Sequence, residues 1–144
     1  MDRVDGYGGY KFGMTLEEAD AVRADDMVNK GCDFRAIEAC IERKTQLFGE
    51  EAIIIALVSS ESHTVNQVNI SFNRLSSVAG GACKKVLSSI GGALIETFGT
   101  NTKENGADIT WHLPRGGKVT LTRLCINEDK GMVIVSYSPT DAFR

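Results

Sequence analysis

The spacing of apolar residues along the chain changes repeatedly, and each change predicts a new element. Thr15 and Glu18 form a T-x-x-E capping box, in which each side chain satisfies the other's free backbone N–H. Leu16, Ala19 and Val22 follow at helical spacing and predict a short helix that fades near Asp25-Asp26. Gly31 and Asp33 punctuate the loop after it. From Ala36 the period falls to two. Ile37, Ala39 and Ile41 alternate with Glu38, Cys40 and Glu42, which predicts a strand with one wet face carrying Cys40. Gly49-Glu50 is a turn signal, and the apolar run Ala52 to Val58 is that of a central strand covered on both faces, or of one whose outer face is partly shielded. After the polar stretch Ser59 to His63, Val68, Ile70 and Phe72 alternate with Asn69 and Ser71 as a third strand.

The clearest helix follows. Val78, Ala82, Val86, Ile90, Leu94 and Phe98 form one row at spacing four, with Ala79, Cys83 and Leu87 beside it. Ser76-Ser77 supplies N-cap candidates, and Gly99 suits the left-handed C′ position. Gly80-Gly81 and Gly91-Gly92 fall inside this helix and are expected to permit close packing on a sheet. Strands return at Ile109, Trp111 and Leu113, at Val119 to Ile126 and at Met132 to Ser138, with a hairpin signal at Pro114-Arg-Gly-Gly117 and turn residues from Asn127 to Gly131.

The order is helix, three strands, helix, three strands: two αβββ units, spanning residues 15–73 and 76–138, within one α+β domain over 11–144. Residues 1–10 read as a frayed or extended N-terminal arm. Short connections favour a largely antiparallel sheet of about six strands with two helices on one face. The other face is then solvated or binds something.

Composition narrows function by exclusion. A formal charge of −3 without basic clusters gives a nucleic-acid backbone nothing to meet. No apolar run has the ~18 to 20 residues of a membrane-spanning helix, so membrane insertion is not expected. The start is polar and glycine-rich, with no signal peptide. The compartment is therefore either the cytoplasm or, if Met1 stands where a leader was removed, the periplasm or the exterior. Cys32, Cys40, Cys83 and Cys125 lack the CxxC spacing of a zinc knuckle or redox pair. Cys32 and Cys40 flank a loop-to-strand junction and are candidates for a small disulfide loop. Cys83 and Cys125 are disulfide candidates too, with reduced core thiols slightly favoured.

Catalysis finds little footing. The two histidines, His63 in a serine-rich loop and His112 beside Trp111 on the outer strand face, have no partner set by sequence. No metal-ligand spacing occurs, and no cofactor is implied. Glu17-Glu18, Asp25-Asp26 and Glu50-Glu51 sit at helix or turn boundaries, where dipole complementation and solvation explain them. Gly6-Tyr-Gly-Gly-Tyr10 lacks both phosphate-loop patterns. Surface candidates for binding are Tyr7, Tyr10, Glu61, His63 and His112. Trp111 and Tyr137 share parity with apolar neighbours and belong to the core.

Phe12-Gly-Met-Thr-Leu-Glu-Glu resembles the FGM[ST]xxE opening of small secreted or lipoprotein domains of bacteria. Leu94-Ile-Glu-Thr-Phe-Gly99, Ile109-Thr-Trp111 and the strand from Val133 to Tyr137 are similar to the second half of the same families. Comparable layouts occur in beta-lactamase-inhibitor-like and outer-membrane-assembly lipoprotein folds. The resemblance implies protein binding in the cell envelope without catalysis. The expectation is a non-enzymatic bacterial protein-interaction module, an inhibitor or immunity protein in its narrower form. Two alternatives stand beside it: a small-ligand carrier or enzyme with a pocket between the second helix and the sheet, inspected first at His63, Glu61 and Cys40, and a structural homodimer.

Overall fold

The computed structural model describes residues 3–22, 27–30, 37–72, 82–125 and 131–139. Strands β1 (Gly6–Tyr7) and β2 (Tyr10–Lys11) form a small antiparallel ribbon, followed by helix α1 (Leu16–Asp20). Strands β3 (Met27–Lys30), β4 (Ile37–Leu47), β5 (Glu50–Ser59) and β6 (Val65–Phe72) come next. Helix α2 (Ala82–Phe98) precedes β7 (Lys103–Asn105), β8 (Asp108–His112), β9 (Lys118–Cys125) and β10 (Gly131–Ser138).

The fold is α+β with an antiparallel sheet, but the sheet holds eight strands in the order β3-β4-β5-β6-β10-β9-β8-β7. The expected six lacked β3 and β7. Both are short outer strands with no alternating apolar run to announce them. Each half is therefore a four-stranded meander, and the two join antiparallel through their last strands, with Val135 opposite Ile70. The hand-over from αβββ to αββββ leaves the pseudo-repeat intact and makes β6 and β10 its seam.

Local chemistry explains the elements that were foreseen. The capping box of α1 is present in both directions, the Thr15 hydroxyl accepting from Glu18 N and the Glu18 carboxylate from Thr15 N at 3.1 Å. Helix α2 ends as expected: Gly99 has φ 91°, and its N–H donates to Ile95 O at 2.7 Å. Trp111 Nε1 donates to the Gly99 carbonyl at 2.8 Å and ties that end to β8. The cap candidates Ser76 and Ser77, and Gly80-Gly81, lie outside the described residues.

Gly91 and Gly92 do not permit the close packing expected of them. A Cβ on Gly92 would meet nothing within 4 Å, and one on Gly91 only the end of Leu121 at 4.0 Å.

One face of the sheet is covered. Ile54, Ile70, Val135 and Leu121 are successive cross-strand neighbours, each at most 5% exposed. Val86, Ile90 and Leu94 of α2, Ala19 of α1 and Tyr10 of the ribbon belong to the same buried cluster. Residues 3–10 are thus no frayed arm. Tyr10 is 0% exposed, and the Arg43 guanidinium lies 5.5 Å from its ring centroid while donating to Gly8 O at 2.7 Å. Val4 N–H donates to Gly116 O in the β8–β9 turn.

Cys83 and Cys125 form a disulfide, with Cα atoms 5.7 Å apart. This corrects the preference for reduced thiols. Helix α2 crosses the end of β9 at a separation that a disulfide spans without backbone movement. Cys40 is also disulfide-bonded and is buried at 3% exposure, which corrects its reading as an accessible residue. Cys32 lies outside the described residues.

Candidate functional site

The alternation that buries Ile54 and Ile70 turns their neighbours to the opposite face, on which no described helix or ribbon lies. Two cross-strand rows define it. One runs Lys44, Ile53, Ser71, Ile134, Thr122, Asp108, and the other Glu42, Ile55, Asn69, Ser136, Thr120, Thr110, Lys103. Charges stand at the ends of both rows, and the four central strands between them carry only aliphatic, hydroxyl and amide groups.

Several of these side chains hold one another. Thr122 Oγ1 donates to Asp108 Oδ1 at 2.8 Å, Gln67 Nε2 donates to Asn69 Oδ1 at 2.8 Å, and the Thr110 and Thr120 hydroxyls lie 3.3 Å apart. Side chains fixed before an encounter lose less rotamer freedom in it. The surface offers hydrogen bonds and apolar area. At its β4–β5 corner Cys40 and Leu57 are cross-strand partners and are buried.

The second feature is a cleft of about 350 Å³ on the covered side, between α2, the ribbon and the tip of the β4–β5 hairpin. The hairpin turn is Phe48-Gly49, with φ 55° and 78°, the positive pair that a two-residue type I′ turn needs. Phe48 lines the cleft and is 46% exposed. Tyr7 and Tyr137 stack at its inner end, with ring centroids 5.0 Å apart and planes 9° from parallel. Burial, and secondarily the neighbouring Tyr7, hold the Tyr137 hydroxyl in its neutral form well above the usual tyrosine range.

The structure scatters the residues singled out in the sequence. Glu61 and His63 sit in the β5–β6 turn, where His63 takes φ 59° and its Nδ1 lies 3.0 Å from the Glu38 carboxylate. His112 is exposed at the end of β8, with β6, β10 and β9 between it and that turn. Neither histidine contacts a serine, threonine or cysteine side chain among the described residues. Tyr10 is buried and offers no surface, whereas Tyr7 lines the cleft. His63, Glu61 and Cys40 lie elsewhere, so the pocket beside α2 exists without the polar groups expected in it. No group of three or more His, Cys, Asp or Glu converges among the described residues, and no described helix is long and apolar enough to cross a membrane.

Leu47, Phe48, Ala93 and Thr97 were not foreseen as cleft residues. An aromatic beside Gly49 at a turn tip was the one local signal that could have marked the site.

Fold and surfaces together define an α+β domain built on an antiparallel sheet. No family model, curated protein or solved structure matches the chain.

Proposed function

We propose that this protein is a non-enzymatic protein-binding module of the bacterial cell envelope, an inhibitor or immunity protein, that engages its partner through the sheet face on which no described helix or ribbon lies. The observation that carries this reading is the charge-free centre of that face. Interface cores are depleted of charge and ringed by polar rims, and Ile53, Ile55 and Ile134 lie among short hydroxyl and amide side chains in that arrangement. The Cys83–Cys125 disulfide supports an oxidising compartment, where such bonds persist. The net charge of −3 favours a basic partner.

The experiment is affinity capture under non-reducing conditions from an extract of the cells that make the protein, with a parallel capture by Ile134→Arg/Ser136→Arg. One stoichiometric partner, lost with the double substitution while the unfolding transition is unchanged, is the expected result. A partner retained by the variant rules out this face. A concentration-dependent dimer in sedimentation, dissolved by the same substitutions, replaces the partner with a second copy of the chain.

A further inference from the structure

The cleft beside α2 lies across the sheet from the proposed protein surface, and its chemistry is different. Its walls are Ile70, Ile90, Leu94 and Phe98, with Leu47 and Phe48 at the mouth, and no charged side chain lines it. Its volume of about 350 Å³ falls in the range of small-molecule sites.

A further observation points to an occupant. Tyr137 is only 6% exposed and lines the cleft, yet its hydroxyl has no hydrogen-bond partner among the described residues. The large majority of buried hydroxyls have a partner, in the protein, in water or in a ligand. Of the other two hydroxyl residues at the cleft, Thr97 donates to Ala93 O at 2.9 Å and Tyr7 stacks on the Tyr137 ring. Phe48 lines the cleft at the tip of the hairpin, where its positive φ is that of the type I′ turn.

We propose that the cleft binds a neutral single-chain amphiphile, its aliphatic chain lying against Ile70, Ile90 and Leu94 and its ester, amide or ketone oxygen accepting the Tyr137 hydroxyl hydrogen. The head group is uncharged because nothing in the cleft would compensate the desolvation of a carboxylate or an ammonium. The donor is dependable because the phenol stays protonated throughout the neutral range.

The test uses the oxidised, full-length chain and the neutral fluorophore N-phenyl-1-naphthylamine, whose emission rises on leaving water. Saturable binding of one probe per chain is expected, displaced by methyl dodecanoate at least tenfold more effectively than by sodium dodecanoate, both kept below micelle formation. Ala93→Phe, which projects a ring from α2 into the cleft, should weaken probe binding tenfold or more without altering the unfolding transition. Thr97→Trp, one turn on, serves the same purpose if Ala93→Phe does not fold. Tyr137→Phe should retain the probe but lose roughly threefold to tenfold in affinity for the ester, the worth of one neutral hydrogen bond. Absence of saturable binding overturns the proposal. So does binding that both filling substitutions leave unchanged, displacement by the carboxylate as effective as by the ester, or an ester affinity unaffected by Tyr137→Phe.

Discussion

Gly131 stands where the Cys83–Cys125 disulfide crosses the start of β10. It is the cross-strand partner of Cys125, and a Cβ there would lie 2.6 Å from Cys83 Cβ and would also strike Cys83 Sγ. Gly131→Ala should therefore destabilise the oxidised protein by about 1–3 kcal/mol, the usual penalty of overpacking. The loss should shrink when Cys83→Ala and Cys125→Ala are also present, so urea unfolding of the four combinations measures the coupling. In the sequence Gly131 reads as a turn residue, because its constraint comes from a cysteine far away in the chain. Gly99 was legible because its reason is local, a helix ending beside it. Tyr137 gives a second prediction. Its folded-state ionisation lies above the ordinary value of 10.0, so above that pH the unfolded chain releases a proton that the folded chain keeps. The associated stability is complete below about pH 10 and declines above it. Comparing urea midpoints at about pH 9 and about pH 11, the drop should be smaller in Tyr137→Phe than in the unsubstituted protein.

Among the elements, α2 shows how far periodicity reaches. Its row of buried residues, Val86, Ile90 and Leu94, could be read directly, because every fourth side chain meets the same sheet. The role of its paired glycines could not, since a sequence does not show what lies opposite a position. Gly92 faces open space in the middle of the helix. Gly92→Ala should raise stability by about 1 kcal/mol, as at any unstrained helical glycine, and a thermal melt checks it. The ribbon is the opposite case: its glycines and tyrosines suggest looseness, yet Tyr10 is fully buried and Arg43 fastens Gly8. Arg43→Lys should lower the unfolding midpoint nearly as much as Arg43→Ala, because an ammonium cannot reproduce a planar donor that both stacks and bonds. Equal stability of Arg43→Lys and the parent would contradict that account.

Over the whole molecule, two four-stranded meanders meet at β6 and β10, and one disulfide joins α2 to β9 across 42 residues of chain. Closing a loop of that length restricts the unfolded chain by about 4 kcal/mol. Cys83→Ala/Cys125→Ala should therefore lower the urea midpoint strongly while the slope of the transition reports any change in compactness. The doubled layout was legible in outline, since helix and strand periods recur in the same order in both halves. The pairing of the halves was not, because a cross-strand contact such as Val135 with Ile70 leaves no mark on either segment's own pattern. The uncovered face escaped numbering for a related reason: its rows collect one or two residues from each of many strands. The seam also sets a schedule. As the polypeptide is synthesised, β10 emerges after every other described strand, yet β6 pairs with it and Tyr7, made long before it, stacks on its Tyr137. The ribbon thus waits for β10 before its packing is complete, and until then the first meander has one unpaired inner edge, β6, open to any passing strand.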